Sequence, residues 1–467
     1  MSCRPRQDPV PNKVLGSATF VVYCIYTIDY YIRILERVPA LAALRPTLIL
    51  FAVIVFMLLA QQPHLKGKLT NRPAKALLAL FIYLAVSLPF VTWPGSVLHN
   101  LNPFARAVAF FFFSVLIVDT ERKLFVFLIV FVGCQLYRVL DPLYLHLTTG
   151  YLGQSTYIGG GEFEGRLSGA PFDVVNPNGL GFVTAGCIPL LYYCLYGAKQ
   201  LYRKAIAVAL ICACLYVIYL TLSRGAMIAL FVFVWMTFRR TKRKLLFVGA
   251  LLLALAVAWS QFGGVHKDRY LSLLHIHPAH GSVQAEEDQT AYGRVQVTEE
   301  EFDIGMERPI FGHGLGTTAE AKVHAGHGPQ ASHNLYTELL VEIGVVGGFF
   351  FLRFLYAIYC ELRAGAQRLA QDRERPGDDI YRRLILALTV LFWMYLVFSS
   401  NYWGLSQDYW YVLAGLVTAC VRQIEAVQVR ESVEAATSPP YRPPVIGRWR
   451  NSGGRQKLIA QAGRSRK

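Results

Sequence analysis

The chain has 467 residues, of which 54% are hydrophobic and only 16% charged. That apolar share excludes an ordinary soluble domain and points to a membrane class. The formal net charge of +16 would suggest nucleic acid in a soluble protein, but here the basic residues stand in short loops and in the tail, where they set topology and meet anionic membrane lipid, so no nucleic-acid partner is expected.

A hydrocarbon core of about 30 Å takes roughly 20 apolar residues per helix. Runs of that kind predict about twelve spans, at 15–35, 46–61, 75–93, 104–119, 123–140, 178–197, 205–222, 225–239, 245–262, 334–359, 382–400 and 405–422. The expected fold class is therefore an all-α membrane protein. The short alternating strands of a β-barrel do not occur. Nothing resembles a cleavable signal peptide, so the first span reads as an uncleaved anchor. Spans one to nine fill residues 1–262, including an outer loop at 141–177; a long, partly helical loop follows at 263–333, then spans ten to twelve at 334–422 and a basic tail at 423–467. No internal repeat of the transporter kind is visible.

Loop charge orients this array. Lys66, Lys68, Arg72 and Lys75 fall on one side, with Lys199, Arg203 and Lys204, the cluster 239–244, and Arg363, Arg368, Arg373, Arg375, Arg382 and Arg383. The positive-inside rule makes that side, and both termini, cytoplasmic, so loops 141–177 and 263–333 face outward. Pro439, Pro440, Pro443, Pro444 and the basic runs after them predict a disordered cytoplasmic tail near anionic lipid. Most of the nine cysteines lie inside apolar runs, and no CxxC pair occurs, so neither a disulfide framework nor a cysteine metal site is expected.

The outward face concentrates the chemistry. "TLSRGAMIAL" (221–230) puts Arg224 at an outer junction of two spans, "AYGRVQVTEEEFDIGMERPIFGHGLGT" (291–317) carries Arg294 and closes on Gly312, Gly314 and Gly316, and "SHNLYTELLVEIG" (332–344) supplies His333. Guanidinium groups grip phosphate oxygens through paired donors, so two arginines suit a diphosphate. Histidine is the side chain best placed to take a proton near neutral pH. Each has a plainer reading. Arg224 can snorkel, Arg294 can pair with Glu299, Glu300 or Glu301, the glycines can form a simple turn, and His333 with Asn334 can be a helix cap. Glu338 and Glu342, four apart, share a helix face that points away from His333. Acids within a span face the bundle interior, and Glu342 is expected to pair with a lining Arg or Tyr. "HIHPAH" (275–280) and "HAGH" (324–327) are rich in histidine, but no metal site is expected there.

Taken together, His333, Asn334, Tyr336, Leu340, Glu342 and Gly344, the S-R-G-A at 223–226, an Arg some way ahead of R-P-I-F-G-H-G (308–314), and "GRLSGAPFDVVNPNGLG" (165–181) with Asn176 and Asn178 resemble the O-antigen ligase and O-antigen polymerase superfamily. The Trp that the family often carries shortly after its second arginine is absent, the stretch here being "RVQVTEEEF". The resemblance implies a glycosyltransferase of the bacterial inner membrane whose active site faces the periplasm. Its donor would be undecaprenyl-diphosphate-linked glycan, and its acceptor lipid A–core for a ligase or the growing glycan for a polymerase. Arg224 and Arg294 would hold the diphosphate and His333 would be the catalytic base. Asn334, Tyr336, Glu342, Gly312, Gly314 and Asn178 would support them, with no metal and no cofactor. Ligase-type transfer is the favoured reading. A transporter or lipid flippase is the rival from a different class; it would spread charge along a central path, whereas the conspicuous groups here cluster on one face.

Overall fold

Each of the twelve apolar runs is built around a helix in the structure, a computed structural model that describes residues 15–159, 162–173, 175–261, 296–371, 378–402 and 404–437. In chain order these are α1 Ser17–Ile32, α2 Pro46–Ala60, α3 Arg72–Ser87, α4 Pro94–Ile117 and α5 Glu121–Thr149, then α6 Pro177–Leu190, α7 Leu201–Thr221, α8 Arg224–Arg240 and α9 Lys244–Gln261. Among the described residues of the long loop stand two helices, α10 at 296–307 and α11 Thr318–His324. They are followed by α12 Leu335–Gln371, α13 Asp378–Phe398 and α14 Tyr409–Thr437. Residues Met1–Glu425 form one compact unit and Ala426–Lys467 a second; of the second, the described part is the end of α14, which runs well past the expected limit of 422.

Among the described residues, eight helices are long and apolar enough to cross a membrane: α3 to α7 and α12 to α14. Helices α1, α2 and α8 are shorter, at 16, 15 and 17 residues. Large apolar side chains point outward along the bundle, among them Phe56 at 72% exposure and Ile129 at 71%. A soluble protein rarely leaves such surface to water, whereas lipid covers it without cost.

The helix starts are written locally. Asn71, Thr120, Asn176 and Ser223 each accept a hydrogen bond from the backbone N–H three residues on, which satisfies a donor that the first turn leaves open. The all-α expectation holds for the bundle, and one β element is added to it. Loop 141–177 contains an antiparallel hairpin, Gly153–Gly159 (β1) with Glu162–Leu167 (β2), in register from Gly153 opposite Leu167. Its strands are short and rich in glycine, so they carry no apolar run to reveal them.

Alternate helix ends gather at two levels. At one level Asp119 accepts from Lys68 Nζ, Lys123 Nζ and Leu15 N, each at 2.7 Å, while Arg422 reaches the carbonyl of Val115 at 2.8 Å. The other level holds the ends of α1, α5 and α13 and the starts of α6, α8 and α12, and the candidate chemistry lies there.

Candidate active site

Helix α12 is broken at Gly344, whose backbone has φ 64° and ψ −176°. The break releases carbonyl and amide groups that an unbroken helix would use, and the glycine loop takes them. His313 N donates to Val341 O at 2.8 Å, Gly314 N to Glu342 O at 2.9 Å, and Val345 N to Pro309 O at 2.7 Å. Tyr83 of α3 adds its hydroxyl to Ile343 O at 2.6 Å. The fit is close: a Cβ on Gly312 would lie 2.5 Å from the Glu342 carbonyl, and φ there is +73°. His313 is buried, with Nε2 2.9 Å from Ile304 O and Nδ1 3.2 Å from Thr92 Oγ1. A carbonyl only accepts, so Nε2 carries a proton.

Among the described residues, Glu342 does not meet the Arg or Tyr that its place in an apolar helix suggested. Its buried carboxylate accepts from Gly316 N at 2.7 Å and from Thr318 Oγ1 at 2.8 Å. The reason is the break itself, which brings the loop's own donors to the carboxylate. The amide of Gly312 goes to Arg308 O at 2.9 Å, so the N–H groups of Gly312, Gly314 and Gly316 are all spent inside the protein. The G-x-G-x-G stretch therefore holds α12 in place, and its amides are not offered to a phosphate.

Two more buried carboxylates complete the support. Glu338 accepts from Gly404 N at 2.8 Å and Leu405 N at 3.2 Å, fastening the stretch between α13 and α14 to α12. Glu301 of α10 pairs with Lys322 of α11 at 2.6 Å, accepts from Ser332 Oγ at 2.7 Å, and is bonded by the Thr337 hydroxyl. Ser332 in turn accepts from Asn334 N at 3.1 Å, and Asn334 Oδ1 caps α12 by accepting from Tyr336 N at 2.9 Å. His333 lies between these two anchors with its side chain exposed. Asn334 is thus a cap, and its neighbours fix the backbone that presents His333. Tyr336 donates its hydroxyl to Leu396 O at 2.8 Å.

Arg224 opens α8 directly after the Ser223 cap and is half-buried. Gly225 beside it lies against α13, where a Cβ would come 2.8 Å from the Phe398 ring. Since Tyr336 and Glu338 hold the same 396–405 stretch, Arg224 and His333 stand at one end of the bundle, tied to one segment. Asn178 is held by Arg166, whose Nη2 reaches its Oδ1 at 2.8 Å while Nε donates to Thr221 O at 2.8 Å. Sequence reading missed Arg166; a lone Arg in a glycine-rich loop gave no signal, although its burial makes it the joint between β2, α6 and α7. Arg294 and the 275–280 histidines lie outside the described residues. Of the second histidine cluster, His324 stacks on Trp93 at 4.9 Å and His327 Nδ1 is 3.4 Å from Glu300. Among the described residues, no group of three or more His, Cys, Asp or Glu is placed to hold a metal ion.

Residues 206–352 match the O-antigen ligase family. That region runs from α7 to the middle of α12 and takes in Arg224, Arg294, the glycine loop, His333 and Glu342. The match covers 147 of the 467 residues; it makes that part of the chain similar to the O-antigen ligase family and supports the resemblance read from the motifs, while the long apolar helices support a multi-pass membrane protein. No curated protein matches the chain.

Proposed function

We propose that the protein transfers glycan from undecaprenyl diphosphate to an acceptor hydroxyl on the periplasmic face of the bacterial inner membrane, as an O-antigen ligase does to lipid A–core. The observation that supports it most is His333, exposed and held by anchored neighbours at the end of the bundle where Arg224 opens α8, both inside the matched region. In the reaction the acceptor oxygen forms a bond to the sugar's anomeric carbon while the bond from that carbon to the diphosphate oxygen breaks. His333 takes the hydroxyl proton. Arg224 and Arg294 meet the negative charge left on the departing diphosphate. A single displacement of this kind inverts the anomeric centre. Asn334 and Glu342 act through the backbone that carries His333 and are positioning residues. Deletion of the gene tests the ligase reading: lipid-linked long chains should persist while attachment to lipid A–core is lost. Single repeat units on core would instead assign a polymerase.

Two further outcomes follow from this scheme. Reporter fusions near residues 160 and 285 should read periplasmic and those near 242 and 370 cytoplasmic; a cytoplasmic reading at 285 would remove Arg294 and His333 from the donor's side of the membrane. Guanidinium charge takes the part that a divalent cation plays in many transferases. Purified protein given lipid-linked donor should therefore keep turning over in excess EDTA. Complete loss of turnover, restored by a divalent ion, would contradict the scheme.

A further inference from the structure

At the end of the bundle that carries Arg224 and His333, a cavity of about 630 Å³ opens between α1, α4, α5, α6 and the 402–409 stretch. We propose that this cavity is a saccharide subsite that recognises the glycan moved in the reaction or the glycan that receives it. The inference rests on the transferase reading above and adds where the sugar is read.

The cavity's size is that of a small-molecule site, typically about 300–1,000 Å³. Its wall combines charge of both signs with aromatic rings. Arg138 of α5 grips Asp173 through two bonds, Nε at 2.7 Å and Nη2 at 3.0 Å, and lies over the Tyr31 ring at 5.5 Å. The Tyr31 hydroxyl is bonded to Asp408. Arg106 of α4 is steadied by Asn102 Oδ1 at 2.8 Å. Tyr402 adds a phenol ring to the wall, and burial pushes its pKa up to about 12.

Charge balance narrows the occupant. Arg33, Arg106 and Arg138 line the cavity together with Glu36, Asp173 and Asp408, three cations against three carboxylates. A diphosphate would want the cations without the carboxylates. An acyl or prenyl chain would leave every one of these groups facing hydrocarbon, which is costly for buried polar groups. A hydroxyl-rich ring meets both requirements, because its hydroxyls donate to carboxylates and accept from guanidinium groups while its apolar face lies on an aromatic side chain.

Placement ties the cavity to the reaction. Tyr402 belongs to the segment that anchors α8 and α12, and Asn100 of the wall donates to Gly316 O of the glycine loop at 2.8 Å. Yet every residue lining the cavity lies outside 206–352. Transfer chemistry and glycan choice are therefore encoded in different parts of the chain.

The test uses the full chain in lipid nanodiscs and two substitutions, Val183→Trp, which fills the cavity from α6, and Arg106→Gln. Three probes are titrated: oligosaccharide released by mild acid from the host's lipid-linked pool, oligosaccharide released from the acceptor, and undecaprenyl diphosphate without sugar. Both variants should weaken one oligosaccharide by about tenfold or more, equivalent to about 1.4 kcal/mol, and leave the bare carrier unchanged. Which oligosaccharide responds assigns donor or acceptor. Unchanged oligosaccharide binding in variants that melt like the parent, or no oligosaccharide binding by the parent, overturns the proposal. So does an equal loss of bare carrier, which would make the cavity a lipid site. Arg224→Lys supplies the separate check, since it should weaken the carrier and spare the oligosaccharide. If that arm fails while the cavity arm holds, the error lies in the transferase scheme and not in the subsite.

Discussion

Replacing His333 by alanine is expected to leave donor binding largely intact while transfer falls by about a hundredfold or more, the usual scale for a positioned acid–base group. Arg224→Ala should fail differently, weakening donor binding along with rate. Arg224→Lys should rescue poorly, because an ammonium cannot reproduce the paired fork of a guanidinium. The contrast follows from position. His333 is exposed, and Ser332 and Asn334 on either side of it carry bonds of their own, so the segment keeps those anchors when the imidazole is lost. Each variant needs three measurements: amount in the membrane, affinity for lipid-linked donor, and transfer rate. Wild-type transfer by His333→Ala would remove the base from the mechanism. Absence of all the variants from the membrane would make these residues structural.

Gly344→Ala should be the most damaging small substitution in α12. With φ 64° and ψ −176°, residue 344 occupies a region essentially reserved for glycine, and an occupant with a side chain is strained by about 1–3 kcal/mol. Its Cβ would also lie 2.4 Å from Ile310 O, adding an overlap of about 1–3 kcal/mol. Relief would require the glycine loop to leave the helix break. The expected result is a lowered melting midpoint, faster proteolysis between α11 and α12, and lost transfer. Gly348→Ala, one turn on, is the control, because its Cβ would meet only Leu339 Cβ at 3.9 Å and alanine favours the helix. Indistinguishable behaviour of the two variants would contradict the role given to the break.

Much of this architecture is legible in the chain because hydrocarbon imposes one simple requirement, long apolar helices, and each apolar run does contain a helix. Helix starts were equally readable wherever Asn, Thr or Ser precedes the first turn. The partners of the buried acids were not. Glu342 looks from its spacing like one half of an ion pair, yet its partners are a backbone amide and a threonine on a loop about 25 residues upstream. No periodicity records a contact that depends on a helix break, although the break residue, Gly344, was visible as the last member of the motif. The cavity was hidden for another reason. Arg138, Asp173 and Asp408 are single charges at the ends of separate apolar runs, and only packing shows that they face one space. A charged residue inside a span is a functional hint by itself, and Arg33, Arg106, Arg138 and Asp408 each fall within an expected apolar run.

The pairing between the glycine loop and the broken helix also fixes an order of assembly. Residues 309–316 leave the ribosome before residues 341–345, whose carbonyl and amide groups they need. Until α12 has been synthesised and inserted, Gly314 and Gly316 have no acceptor for their N–H groups, and Ser332 and Thr337 are not yet gathered around Glu301. A nascent chain halted before residue 341 would carry the glycine loop unfastened, open to proteases and chaperones. Completion of this end of the bundle is thus a late event in biogenesis, set by insertion of the tenth apolar run rather than by synthesis of the loop itself.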